Sequence, residues 1–137
     1  MARFVFDASA TLAWCFKDES TPWSDTLLQR LKAGDKAIAP AHWPAEVSNA
    51  FLSPVRRKRA SLADIQCFWD DLSHLPISVE PPLTPGLAKA VLDLAANHNL
   101  TVYDALYLEL AIRLGLPLAT LDTALRQVAP AKAVALL

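Results

Sequence analysis

The sequence predicts an α/β domain built on a short-stranded parallel sheet with helices on both faces. Two observations carry this. Four short apolar runs, Arg3–Phe6, Lys36–Ala39, Pro76–Val79 and Leu116–Leu121, alternate with longer stretches of helical spacing. None of these runs has the period-two alternation of a strand with one wet face, so each reads as buried on both sides. A length of 137 residues then sets the scale: residues 1–137 make a single domain.

Each element has a local reason. Arg3–Phe6 is an aromatic apolar run ended by Asp7, and Ala8–Phe16 follows as a helical turn. Ser20-Thr21-Pro22 opens a helix, with a hydroxyl cap and proline in the first turn, and Gly34 stops it. Leu27, Leu28 and Leu31 give that helix its apolar face. Lys36–Ala39 is the second strand, closed by Pro40. Pro44 starts a helix bearing Val47, Ala50 and Phe51 on one side, which Pro54 is expected to kink or break. Ser61 and Asp64 resemble a capping box for a helix carrying Leu62, Ile65, Phe68, Trp69 and Leu72. Pro76–Val79 is the third strand, and Thr84-Pro85 caps a helix running to about His98. Thr101–Leu114 is the clearest helix, with Tyr103, Leu106, Tyr107, Leu110 and Leu114 expected inside and Gly115 as its stop. Leu116–Leu121 is the fourth strand, Asp122 caps a helix from Thr123 to Val128, and Ala133–Leu137 is a candidate fifth strand.

Composition excludes several classes. An apolar fraction of 53% with 20% charged residues is incompatible with intrinsic disorder. A net charge of −1 gives no global field for nucleic acid, so any such contact is local. Cys15 and Cys67 lie in apolar stretches and read as buried thiols of a reducing cytosol, not as a disulfide or zinc framework. No stretch approaches a membrane span, and the three-residue apolar run ending at Asp7 is no signal peptide. These readings point to a cytoplasmic protein. Phosphate-cradling glycine loops and a nucleophile elbow are absent. His42, His74 and His98 fall at unrelated loops or helix ends and read as surface or capping residues.

The carboxylates carry more. Asp7 directly follows the first strand and Asp122 the fourth, so a parallel sheet presents both at its carboxyl edge, where such sheets bind ligands. Asp104 and Glu46 sit in first turns of helices that begin at the same edge. Taken singly, each has a plain structural role, as a cap or as a complement to a helix dipole. Taken together, adjacent carboxylates repel unless a cation neutralises them. An all-oxygen acidic set without His or Cys suits Mg²⁺ or Mn²⁺, one ion or two.

Four segments, FVFDASATLAW, PAEVSNAF, TVYDALYLELA and LATLDTAL, resemble in order and spacing the motif blocks of the PIN-domain ribonucleases, and the chain is most similar to the VapC-type toxins of type II toxin–antitoxin modules. The resemblance spans residues 4 to 125. It implies a three-layer α/β/α fold and metal-dependent endonucleolytic cleavage of RNA. Asp7, Glu46, Asp104 and Asp122 match the family's catalytic, metal-holding acids. Ser9, Asn49 and Thr120 match polar residues that support them by orienting carboxylates or a bound water. Many members carry a further polar or acidic group just past the last acid, where this chain has Thr123 and Ala124. The resemblance also implies a homodimer and a cognate antitoxin. For the RNA backbone, Arg56, Arg57, Lys58 and Arg59 form the densest basic run, with Lys17 and Arg126 as further candidates. Trp14, Trp23, Trp43 and Trp69 are possible stacking rings, Trp69 reading as core or interface. Competing readings are a non-catalytic interaction module, a nuclease acting on DNA, and a phospho-acceptor domain. The last would want paired acids after the first strand and lacks them.

Overall fold

The computed structural model describes residues 1–137. Strands β1 (Arg3–Phe6), β2 (Lys36–Ala39), β3 (Ile77–Val79) and β4 (Leu118–Ala119) form one sheet in the order β3-β2-β1-β4, every pair parallel. Helices α1 (Ala8–Cys15), α2 (Pro22–Lys32), α3 (Trp43–Arg56), α4 (Leu62–Ser73), α5 (Pro85–His98), α6 (Val102–Leu114) and α7 (Thr123–Val128) connect and follow them. Helix α1 packs on α2 and α3, α5 on α6, and α6 against β1, giving a three-layer α/β/α domain. Phe4, Val5 and Phe6 of the central strand are wholly buried, as the unbroken apolar run requires.

The strand order positions the site. The chain steps from β1 outward through β2 to β3, then returns to place β4 on the other side of β1. The carboxyl ends of β1 and β4 therefore flank a topological switch point, the crevice where open α/β sheets bind ligands. Asp7 follows one of these strands and Asp122 lies three residues beyond the other.

Most caps form as expected. Thr21 with Ser24, and Ser61 with Asp64, close reciprocal capping boxes. Gly115 ends α6 with φ 64°, a backbone geometry that favours glycine.

Several expectations are corrected. Pro54 does not break α3, which runs on to Arg56. A proline this near the end forfeits little of the hydrogen-bond ladder, and its carbonyl instead accepts from the Arg59 N–H at 2.8 Å. The fourth strand keeps only Leu118–Ala119, and the tail contributes a single parallel bridge, Leu118 to Leu136, rather than a fifth strand. The buried side of α6 is misjudged in part. Tyr103 is 62% exposed, while Ala105, Leu108 and Ala111 are buried beside Tyr107 and Leu110. Helix α6 is covered by both the sheet and α5, so small residues between the expected positions are also inside. Leu62 is exposed as well, since α4 buries only Ile65 and Leu72 fully. The cysteines are not both buried: Cys67 is exposed and Cys15 half-buried. No helix is long and apolar enough to cross a membrane.

Candidate active site

Asp7 is the centre of the site. It N-caps α1, and only 4% of its surface is exposed. Oδ1 accepts from the Ala10 N–H at 3.0 Å and the Ser9 hydroxyl at 2.6 Å, and Oδ2 accepts from the Thr120 hydroxyl. The two hydroxyls also clasp the sheet edge. Ser9 Oγ accepts from the Leu121 N–H and Thr120 Oγ1 from the Asp122 N–H, both at 2.9 Å. Burial drives the Asp7 pKa up to about 6, Asp122 adds to the rise, and the bonds from Ser9, Thr120 and Ala10 oppose it.

Asp122 N-caps α7, its Oδ2 accepting from the Leu125 N–H at 2.9 Å. The cap and the cluster are thus one residue doing both jobs. Asp104 is the third residue of α6, its N–H bound to Thr101 Oγ1 at 3.0 Å. Its carboxyl is raised by burial first, then by the charges of Asp122 and Glu46. These mutual effects tie the four acids into one field, although they come from four separate segments.

Glu46 lies in the first turn of α3. The buried Tyr107 hydroxyl donates to its Oε1 at 3.0 Å. Nε2 of His42, one turn earlier, stands 3.6 Å from Oε2, beyond hydrogen-bond reach but close enough to matter electrostatically. Burial alone would raise the Glu46 pKa, yet His42 and Tyr107 outweigh it and hold the carboxyl below its usual range. The Tyr107 hydroxyl is correspondingly pushed far up, by burial and then by Glu46.

The supporting residues divide. Ser9 and Thr120 both touch Asp7. Asn49 is exposed and makes no side-chain hydrogen bond to the acids; it lines a cavity of about 310 Å³ with His42, Ala45, Glu46 and Tyr103. The basic run is also displaced from the acids. Glu46 opens α3 and Arg56 ends it, about 15 Å apart at 1.5 Å per residue. Arg59 is engaged elsewhere, 2.9 Å from Asp18 and over the Phe16 ring. Arg126 is the cation at the site, its guanidinium donating to the Thr120 carbonyl at 2.8 Å. Trp43 is buried, with its indole N–H on Thr11 Oγ1 at 2.8 Å, and Trp69 packs edge-on against it.

Sequence reasoning missed His42, Tyr103 and Tyr107 as site residues. His42 stands at the N-cap position of α3, the helix end expected, but its side chain makes no capping hydrogen bond. It packs against Tyr103 and Tyr107, at ring separations of 5.9 and 4.8 Å, and its nitrogens are buried without hydrogen-bond partners. The only available signal was its spacing four before Glu46, which puts both on one helix face.

None of the four acids is paired with a lysine or arginine. As a donor set they fit a hard divalent cation. They are not closed into a cage, however: no three His, Cys, Asp or Glu side chains are grouped so as to hold a metal ion. Like charges separate, and the carboxylates of Asp7, Asp122 and Glu46 are each held by a local donor.

Fold and site together define a doubly wound α/β protein with four carboxylates about the switch point of its sheet. The model of the PIN domain matches residues 4–130. Ribonuclease VapC12 of Mycobacterium tuberculosis is 34% identical over 123 residues, covering 90% of this chain and 89% of that protein. The crystal structure of PAE2754 from Pyrobaculum aerophilum superposes with a TM-score of 0.71 at 21% identity, covering 96% of each chain. That of VapBC2 from Rickettsia felis, bound to a DNA fragment from its promoter, does so at 0.68 and 11% identity, over 98% of this chain and 97% of that one. The chain belongs to the PIN-domain family, among its VapC-type members.

Proposed function

We propose that this protein is a metal-dependent endoribonuclease, the toxin of a type II toxin–antitoxin pair, with Asp7, Glu46, Asp104 and Asp122 as its catalytic acids. The observation that carries this reading is the burial of Asp7 among other carboxylates with only hydroxyl and N–H partners. An acid serving only as the N-cap of α1 would need the Ala10 N–H but neither this depth of burial nor the two further hydroxyls that hold Asp7. The 34% identity to a protein named as a ribonuclease supports the substrate class.

Asp7 and Asp104, with Asp122, would hold Mg²⁺ or Mn²⁺, one ion or two. A divalent cation bound there supplies positive charge against the scissile phosphate and acidifies bound water. Ser9 and Thr120 fix the Asp7 carboxylate in one orientation. Glu46 stays ionised at neutral pH because Tyr107 and His42 favour its charged form. It therefore accepts a hydrogen bond from the attacking water and aims it, as a positioned acceptor more than a strong base. Attack in line forms a new P–O bond, breaks the bond to the 3′ oxygen, and leaves a 5′-phosphate and a 3′-hydroxyl. Arg126 is the cation best placed to meet a phosphate beside the acids.

The same reading supplies the partners: RNA as substrate, a second copy in a homodimer, and an antitoxin protein that silences the enzyme in the cytoplasm. The Rickettsia structure is of VapBC2 bound to promoter DNA, which supports an antitoxin partner. The test is incubation of inhibitor-free protein with total cellular RNA in Mg²⁺, Mn²⁺ or EDTA, followed by end mapping. Discrete metal-dependent cuts are expected. A folded, inhibitor-free protein that makes no cut under any condition would overturn the assignment.

A further inference from the structure

We propose that Tyr103 and Asn49 form a nucleobase-binding subsite beside the acids, in which an unstacked base lies on the Tyr103 ring and Asn49 reads its edge. The proposal rests on the ribonuclease reading and names how that site selects its substrate.

Tyr103 immediately precedes Asp104 in the first turn of α6, and its side chain is exposed, as is that of Val102, while Ala105, Tyr107 and Leu108 go inward. The ring is braced. It packs on His42 at 5.9 Å, and His42 packs on the fully buried Tyr107 at 4.8 Å. A free tyrosine on a helix surface needs no such support. A run of tilted ring contacts, at 33° and 51°, that ends in an exposed ring presents a supported π-face at little further entropic cost.

The surroundings suit a base. Tyr103 and His42 share the 310 Å³ cavity with Ala45, Glu46 and Asn49. Asn49 lies three residues after Glu46 on α3 and has no side-chain partner, so its amide offers a donor and an acceptor to a base edge. Ala45 leaves room between them. The neighbouring cleft of about 290 Å³, which also includes His42, is a poorer candidate for an anionic ligand. Its one cation, Arg113, is already bound to Glu109 at 2.8 Å and faces Glu80 at 3.8 Å. A base on Tyr103 would put its own phosphate next to Asp104, so base recognition and cutting would be coupled by one helical turn.

The test uses full-length protein in EDTA and three 5′-labelled single-stranded probes: oligoadenylate, oligouridylate and an abasic ribose-phosphate oligomer, all of eight units. Binding is read by fluorescence anisotropy. Tyr103→Ala is expected to weaken oligoadenylate binding by about 5- to 100-fold, the range of base–aromatic stacking. Tyr103→Phe keeps the π-face and should stay within about threefold of wild type. The abasic probe should bind both wild type and Tyr103→Ala equally. Asn49→Ala should narrow the gap between oligoadenylate and oligouridylate. Equal weakening of base-bearing and abasic probes, or loss in Tyr103→Phe, would overturn the subsite. So would unchanged binding in Tyr103→Ala, which would assign the exposed ring to a protein contact. Metal-dependent cleavage of total RNA is measured alongside. Cleavage by wild type with no effect of Tyr103→Ala on rate or cut sites removes the subsite alone. No cleavage by wild type removes the ribonuclease reading and this proposal with it.

Discussion

Replacing Asp7 with asparagine should stabilise the metal-free protein at neutral pH while abolishing its activity. The folded state raises the Asp7 pKa from 3.8 to about 6, chiefly by burial. The folded chain therefore binds the proton more tightly than the unfolded chain, and this group's contribution to stability falls as pH rises from about 4 to about 6. At about 1.4 kcal/mol per tenfold change in proton affinity, the ionised carboxylate costs about 3 kcal/mol at pH 7. Asparagine keeps the N-cap and the Oδ1 contacts with Ala10 and Ser9. It turns Oδ2 into a donor facing the Thr120 hydroxyl, which must then reorient at a cost of about 1 kcal/mol. The net gain is about 2 kcal/mol at pH 7, shrinking to about zero near pH 4.5, where most of the carboxylate penalty is gone. Urea unfolding of both proteins in EDTA at the two pH values measures this, because the difference between them cancels the other titrating acids. A variant less stable than wild type at pH 7, or a gap that does not change with pH, would refute the reasoning.

Other perturbations have equally definite outcomes. Adding Mg²⁺ at pH 7 should raise the thermal midpoint of wild type and leave Asp7→Asn nearly unmoved, which differential scanning fluorimetry reads directly. Tyr107→Phe removes the 3.0 Å donor to Glu46. RNA cleavage should fall by roughly tenfold, with the acid limb of the pH–rate profile moved upward because Glu46 loses a bond that favours its charge. Trp43→Phe removes the donor to the buried Thr11 hydroxyl, which keeps its own bond to the Asp7 carbonyl at 3.0 Å, and should cost about 1 kcal/mol in denaturant unfolding for the lost hydrogen bond. Burial, with smaller help from Glu19 and Asp64, pushes the Cys15 thiol up to about 11, so a thiol reagent at pH 7.5 should label exposed Cys67 promptly and half-buried Cys15 more slowly.

The elements that were legible are those with local causes. Arg3–Phe6, Lys36–Ala39 and Pro85–His98 match their sequence-based bounds because apolar runs, prolines and hydroxyl caps mark their ends. Asp7 and Asp122 were readable for the same reason, since each stands just past a strand and opens a helix. What was hidden depends on partners distant in the chain. The helical period placed Tyr107 inside correctly, but its bond to Glu46 and the outward turn of Tyr103 follow from how α6 meets α3 and the sheet. His42 looked like a loop histidine until those rings closed around it. The distance of the basic run from the acids was also hidden, since Arg56 ends the helix that Glu46 opens, while Arg126 lies beside Thr120. The tail meets β4 on its edge away from β1, the Leu118 N–H donating to the Ala135 carbonyl and the Leu118 carbonyl accepting from the Leu137 N–H, which makes a bridge and not the fifth strand expected.

The central claim is that four acids from four segments act as one catalytic site. The measurement that tests it most directly is RNA cleavage by four charge-removing variants, Asp7→Asn, Glu46→Gln, Asp104→Asn and Asp122→Asn, with Asp25→Asn on the exposed face of α2 as control. Each site variant should fold and lose roughly 100-fold or more in rate, the control should match wild type, and combining two site losses should cost little beyond one. Full cleavage by Asp7→Asn or Asp104→Asn, or losses that simply multiply, would contradict the single-site account.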